Sequence, residues 1–424
     1  STTVPVTRVA LEFDAGVAAD RADRLGAHTL MLNVMQEGTT TRDSKALAEA
    51  QERLGASVSV GSSMDRTVAN LSAVTTNLRP SLTLLSDVVR NPAFAPAEIE
   101  RLRATRLAAL ANEKTQPAAI AGRALPPLIY GEGHPYGRPF GGTGDEAVIR
   151  ALTRDDLMAE HARWIRPDNA RLFVVSDLPL AELKPQLEAA FGNWRAPATA
   201  KGVKAFDAAL PQTSARVVLI DRPQSPQSLI YGGQVLPVSG TDDILTLTTA
   251  NTVLGTDFLS RINADLRETK GWSYGVRGTI SQLQNRAPYI VNAPVQADRT
   301  GESIAALIGQ YERFLGAEGV TPAERERTVL GDTRALSGSY ETSFQVLNAL
   351  RSNALYGRPD DYQETLAGRI NALTAEQMDG AARAAIQPSR FVWVVVGDAS
   401  VVKPQLDALG LPVEVRAAEA SKTQ

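Results

Sequence analysis

A chain of 424 residues, 43% hydrophobic and 21% charged, has a globular composition and is too long for one ordinary core, so about two to three domains are expected. Its formal net charge of -3 gives no polyanion-binding signature and argues against nucleic acid as a partner. No apolar run approaches the ~20 residues that span a bilayer as a helix, and the lack of cysteine rules out disulfides, thiolate zinc sites and a cysteine nucleophile.

The first residue is Ser1 rather than Met, which points to a removed signal or propeptide, or to a trimmed start. A periplasmic or secreted location is the expectation, with the cytoplasm as the alternative. In chain order, residues 6–14 alternate around Val9, Leu11 and Phe13 as a strand does, and a helical pattern follows over residues 25–35. Gly38-Thr39-Thr40 breaks that helix. Asp43 or Ser44 caps the next one, which runs through Leu47 to Leu54 and stops at Gly55. Residues 57–61 and 66–75 alternate like the arms of a hairpin, with residues 62–65 as its turn. Helices are expected over residues 80–90, 96–114 and 118–130, followed by a turn-rich loop over residues 131–142. Thr153 caps a further helix through His161, and residues 172–176 read as a buried strand. This order of strands, helices and local hairpins belongs to an α+β fold rather than a doubly wound one.

The pattern then recurs. Ala151-Leu152-Thr153 returns as Ala372-Leu373-Thr374, Ile165 and Pro167 return as Ile386 and Pro388, and Val174-Val175-Ser176-Asp177 returns as Val395-Val396-Gly397-Asp398, all at an offset of 221. Lys184-Pro185-Gln186-Leu187 returns as Lys403-Pro404-Gln405-Leu406, and Pro96-Ala97-Glu98 returns as Pro322-Ala323-Glu324. Ordered matches of this kind mean two copies of one domain. The seam follows Trp194, because the next stretch carries Pro197, Gly202 and Pro211 as an extended linker does, and residues 216–220 open the second copy as a strand. The expected organisation is a first domain over residues 1–195, a linker over 196–212 and a second domain over 213–424.

One corner of the second copy has the residue types for chemistry at a carbonyl. A helical pattern ends in Leu266-Arg267, Lys270-Gly271 turns the chain, and a short alternating strand is expected from Trp272. Arg267 and Tyr274 lie seven apart across that turn, where a guanidinium and a phenol can reach one small volume and steady a developing oxyanion. The plainer role for the two is a helix C-terminal charge and a packed aromatic.

The repeats resemble the pitrilysin-like metallopeptidases, the inverzincin family that includes mitochondrial processing peptidase. The motifs that carry this are Gly133-His134-Pro135-Tyr136-Gly137 with Gly142-Thr143, and Pro167-x-Asn169 with the Val-Val-x-Asp strand. In the second copy they are Leu254-Gly255, Ser260-Arg261 and Leu266-Arg267-Glu268-x-Lys270-Gly271-x-x-Tyr274. The resemblance implies two homologous α+β domains, each a mainly antiparallel sheet packed with helices. Family members usually have one more strand before Val6. Their zinc site is His-x-x-Glu-His on the first helix, with both histidines on one face and the glutamate as general base. Aligning Gly26 and Gly38-Thr39 with the glycines bracketing that helix puts the motif at Thr29-Leu30-Met31-Leu32-Asn33, so Thr29, Leu32 and Asn33 stand where the zinc chemistry would be. A third ligand would come from residues 96–114, where Glu98, Glu100 and Glu113 lie, but a carboxylate without imidazoles holds zinc poorly. His28 is off the motif by one, His134 belongs to a structural turn, and His161 has no metal spacing around it. The second copy's equivalent helix, residues 245–254, also lacks histidine.

No metal is therefore expected in this chain. By resemblance, Arg267 would bind a substrate carbonyl and Tyr274 would donate to the oxyanion. The expected function is that of a zinc-free subunit in a heterodimeric metallopeptidase that cleaves peptides. Zinc would be held by a homologous partner carrying His-x-x-Glu-His. The alternative is a non-enzymatic structural or peptide-binding subunit of a larger complex. Residues 276–281 and the hairpin over residues 57–75 are candidate edges for pairing with extended peptide.

Overall fold

The computed structural model describes residues 5–418. The outermost residues of the two expected domains, 1–4 and 419–424, lie outside the described residues. The chain folds into two compact units. One comprises the residues up to Ala111 with Arg138–Phe206 and Tyr340–Ser352; the other comprises Asn112–Gly137, Asp207–Ser339 and the residues from Asn353.

The first unit holds four strands, β1 (Val6–Phe13), β2 (Ala56–Ser62), β3 (Thr67–Val74) and β4 (Ala170–Val175), in the spatial order β2-β3-β1-β4 with every pairing antiparallel. β1 is interior because it pairs along both edges, with β3 and β4, and its side chains alternate between the two faces of the sheet. Val9, Leu11 and Phe13 enter a core with Leu30, Met31, Leu82 and Trp164, contributed by the helices Ala27–Met35, Leu78–Arg90 and Arg154–Trp164. Arg8 and Glu12 point the other way, toward the segment Tyr340–Ser352. There Arg8 donates to the Ser343 hydroxyl at 3.0 Å, and Arg351 donates to the Glu12 carboxylate at 2.8 Å. The helix boundaries follow the capping residues. Asp43 accepts from the Ala46 amide at 2.8 Å to start Ser44–Leu54, and Gly55, at φ 58°, stops it. Thr153 and Asp156 form a reciprocal capping box ahead of Arg154–Trp164. The strand expected to be buried, β4, is instead largely half-buried, because among the described residues β1 is its only strand neighbour.

The second unit repeats and extends this plan. It holds β5 (Arg216–Asp221), β6 (Gln227–Ser239), β7 (Arg277–Ile280), β8 (Arg286–Gln296), β9 (Val392–Gly397) and β10 (Val413–Ala417), in the order β10-β5-β9-β6-β8-β7. The run β7-β8-β6-β9 is antiparallel and matches β2-β3-β1-β4 strand for strand. β5 and β10 add two parallel pairings. Among the described residues they have no counterparts beside β4. The helix Thr300–Leu315 buries Ile304, Leu307, Tyr311 and Phe314 at helical spacing against this sheet. The Tyr289 and Tyr311 hydroxyls satisfy one another at 3.1 Å in the core.

Each unit is assembled from both sequence copies. The helix Pro117–Tyr130, in the first copy, lies in the second unit, where its Tyr130 hydroxyl donates to the Arg286 carbonyl at 2.6 Å. The backbone of β6 is approached closely enough that a Cβ at Gly232 would lie 2.4 Å from the Trp393 ring. The counterpart helix of the second copy is Ser343–Tyr356, and its residues up to Ser352 belong to the first unit. The swap is reciprocal.

Candidate functional site

The corner singled out in the second copy begins in a short α-helical turn, Arg261–Asn263, that widens into a π-helical segment, Ala264–Thr269. Leu266 anchors it as a fully buried core residue, while the Trp272 amide reaches back to the Leu266 carbonyl at 2.9 Å. Gly271 ends the segment at φ +66°, in the left-handed region that favours glycine. The strand expected from Trp272 starts later, at Arg277. The intervening backbone is held by side chains instead of a ladder: the Ser273 hydroxyl donates to the Pro294 carbonyl at 2.5 Å and accepts from the Gly275 amide at 3.1 Å.

Arg267 and Tyr274 leave this corner differently. The Arg267 guanidinium lies over the Phe258 ring, 4.3 Å from its centroid, with its side chain one-third exposed. Its Nη1 is 2.9 Å from the Glu268 carboxylate, yet that nitrogen is buried without a hydrogen bond, so the pair is a contact of charges rather than an aligned donation. Tyr274 is 90% exposed, and its hydroxyl has no partner among the described residues. An aromatic presented in this way adds nothing to the core. Phe258, itself half exposed, joins Tyr274, Asp257, Asn263, Arg277 and Asn292 in lining a pocket of about 300 Å³. Arg267 is not in that lining; Phe258 is the residue shared by its stack and the pocket.

The positions aligned with a zinc motif are built for packing. Leu32 is buried in the first unit's core, Asn33 is half-buried, and the Thr29 hydroxyl is buried without a hydrogen-bond partner. These residues do not fit a zinc ion, since an aliphatic side chain fills the place of the general base and no imidazole replaces Thr29 or Asn33. Among the described residues no group of three His, Asp or Glu side chains is placed to hold a metal. Glu98, Glu100 and Glu113 are each paired with an arginine, Arg101 at 2.7 Å, Arg103 at 3.1 Å and Arg123 at 3.2 Å.

The three histidines are occupied structurally. His28 is fully buried between the Thr67 hydroxyl at 2.7 Å and the Glu160 carboxylate at 3.2 Å. His134 stacks on Tyr130 and its Nδ1 accepts from the Tyr136 amide at 3.0 Å. His161 donates to the Val89 carbonyl at 2.8 Å, and burial holds its ring below the usual histidine range. Asp20 sits at the start of the helix Ala27–Met35 and accepts from the Gly26 and His28 amides at 2.6 and 2.9 Å. Its complete burial raises its carboxyl to about 6, against those hydrogen bonds and the His28 charge, which act to lower it.

Two family models match the chain. The one described as Insulinase (Peptidase family M16) covers residues 1–139, and Peptidase M16 inactive domain covers residues 151–330. The chain belongs to peptidase family M16. This is the pitrilysin-like family that the motifs resemble. A crystal structure of a peptidase M16 inactive domain from Pseudomonas fluorescens superposes with a TM-score of 0.82 at 25% identity, over 93% of each chain. An uncharacterized zinc protease of Mycobacterium leprae is 22% identical over 84% of this chain and 79% of its own length. A Helicobacter pylori protein called a non-peptidase homolog is 20% identical over 93% of this chain and 90% of its own length. The M16 family thus includes relatives named for protease activity and at least one named for its absence.

Sequence reasoning passed over the residues that shape the M16 corner: Phe258 under Arg267, Ser273 at the turn, and Asn263 in the pocket wall. Phe258-Leu259 was legible as an apolar pair in a loop, and Asn263 as a polar residue between the buried Ile262 and Leu266.

Proposed function

We propose that this chain is the zinc-free subunit of a heterodimeric metallopeptidase that cleaves peptides, with the metal centre in a homologous partner carrying His-x-x-Glu-His. One contrast carries the reading. The zinc-motif positions are given over to packing and an orphaned hydroxyl, whereas among the described residues the Tyr274 hydroxyl has no partner and Arg267 Nη1 makes no hydrogen bond, its guanidinium being held only by the Phe258 ring and the Glu268 charge. A guanidinium, with its fork of N–H donors, suits a substrate carbonyl, and an unpartnered phenol suits the charge that develops on it. Deleting one such donor typically costs about 2.7–4 kcal/mol of transition-state stabilisation.

Reconstitution tests this. Alone, the chain is expected to bind no stoichiometric zinc and cleave nothing; mixed with the His-x-x-Glu-His partner, it restores cleavage of a fluorogenic peptide. Tight zinc binding by the isolated chain overturns the assignment.

A second reading, a peptide-holding subunit without catalysis, draws support from the sheet edges. β2 and β7 are terminal strands of their sheets, so each leaves a row of backbone groups that an extended peptide can pair with. The non-peptidase naming of one relative points the same way. Peptide binding by the isolated chain, with no gain of cleavage on adding the partner, would favour it.

A further inference from the structure

Tyr274 touches almost nothing through its ring, so its position is set by its backbone, and that backbone is tied down by a side chain 11 residues earlier. Asn263 is only 3% exposed, and both ends of its amide are used. Its Nδ2 donates to the Phe258 carbonyl at 2.7 Å, and its Oδ1 accepts from the Val276 amide at 2.8 Å. The orientation of the amide follows from these partners, because the Val276 N–H requires an acceptor and the Phe258 carbonyl a donor. Val276 lies two residues beyond Tyr274, and Phe258 is the platform under Arg267. A single planar amide therefore joins the loop that supports the guanidinium to the loop that presents the phenol. The Ser273 hydroxyl holds the near side of the same loop, through Pro294 and Gly275.

We infer that Asn263 is a positioning residue that couples the Arg267 and Tyr274 donors by clamping the Phe258 carbonyl and the Val276 amide. This rests on the reading of the pair as functional. The chemistry of the clamp is specific to an amide. Aspartate keeps the acceptor for Val276 but turns a carboxylate oxygen toward the Phe258 carbonyl. Alanine removes both bonds and leaves a buried donor and acceptor unmet. Released from the clamp, residues 273–276 lose the fixed geometry on which a preorganised donor depends, and displacements of about 1 Å in such groups can cost ~100-fold in rate.

The test is a double-mutant cycle in the reconstituted two-chain peptidase, read with a fluorogenic peptide. Asn263→Ala is expected to lower kcat about tenfold with KM within about twofold, because a mispositioned oxyanion donor is missed in the transition state. In a Tyr274→Phe background the same change adds little, since the donor it positions is already gone. Asn263→Asp falls between wild type and Asn263→Ala, and it stands in if the alanine variant does not fold. In the isolated chain, amide exchange at Val276 speeds up in Asn263→Ala while the thermal midpoint reports folding separately. A silent Asn263→Ala beside an impaired Tyr274→Phe overturns the coupling alone, as does a loss that multiplies fully with that of Tyr274→Phe. A fully active Tyr274→Phe overturns the functional reading of the pair and the coupling with it.

Discussion

The helix Ala27–Met35 and the corner from Arg261 to Tyr274 handle their side chains in opposite ways. In the helix, seven of nine residues are buried, and the position aligned with the family's general base is a core leucine. The corner keeps a fully exposed phenol, a half-exposed aromatic platform and an arginine nitrogen without a hydrogen bond. It also includes a π-helical widening, a feature common at functional sites. The first arrangement is explained by stability. The second is not, because none of its features adds to the core, and an unsatisfied buried donor costs about 1–3 kcal/mol. Within one chain, the helix aligned with the zinc motif is ordinary packing, and the corner with Arg267 and Tyr274 departs from packing rules.

That contrast breaks most visibly at Leu32. Placing a carboxylate there with Leu32→Glu buries an unpaired acid in the core and is expected to cost about 3–5 kcal/mol, read by denaturant unfolding of the isolated chain. A loss below about 1 kcal/mol would mean that the helix tolerates a carboxylate at this position and is not committed to packing.

The next largest effect concerns pH, and two carboxyls, one in each unit, differ in sign. Asp20 is raised from 3.8 to about 6, so its contribution to stability is fully present below pH 3.8 and is lost as pH rises through 6; the difference is on the order of 3 kcal/mol. Glu324 behaves oppositely. Burial pushes its carboxyl up, but the Arg261 and Thr321 hydrogen bonds outweigh this and bring it from 4.5 down to about 2. Its contribution is present above pH 4.5 and is lost as pH falls through 2. Replacing Asp20 with Asn should therefore flatten the decline in stability expected of the wild type between pH 4 and 6. An unchanged slope in that window would show that Asp20 ionises normally.

Tyr274→Phe sharpens the comparison from the other side. With the hydroxyl unpartnered, stability should stay within about 0.5 kcal/mol of wild type, while turnover in the reconstituted complex falls at least tenfold, or about 1.4 kcal/mol. A drop in thermal midpoint without a drop in rate would assign Tyr274 to structure. The smallest effect is expected for Phe258→Leu. It removes the cation–π stack under Arg267, worth about 0.5–1 kcal/mol at an exposed site, and should weaken catalysis only a few-fold in the same assay.

Much of this was readable from the chain in order. Alternation marked β1 and the β2–β3 hairpin, and Asp43, Gly55 and Thr153 set helix ends, because capping and periodicity act over a few residues. The corner was harder. The expected strand at Trp272 gave way to side-chain-held backbone, since Ser273 and Asn263 satisfy its polar groups in place of a ladder. Such competition depends on residues up to 21 positions apart and leaves no local signature.

The sequence by itself determined the two-copy α+β plan, the family, and the absence of histidine from residues 29–33, all matters of which residues are present and at what spacing. Only the tertiary structure decided that the helix Pro117–Tyr130, and the helix Ser343–Tyr356 as far as Ser352, serve units built mainly from the other copy. It alone decided that Phe258 underlies Arg267, and that one buried amide ties that platform to the backbone of Tyr274. Periodicity records which face of an element is apolar, but which distant surface covers that face, and which buried polar groups meet across it, is settled by packing.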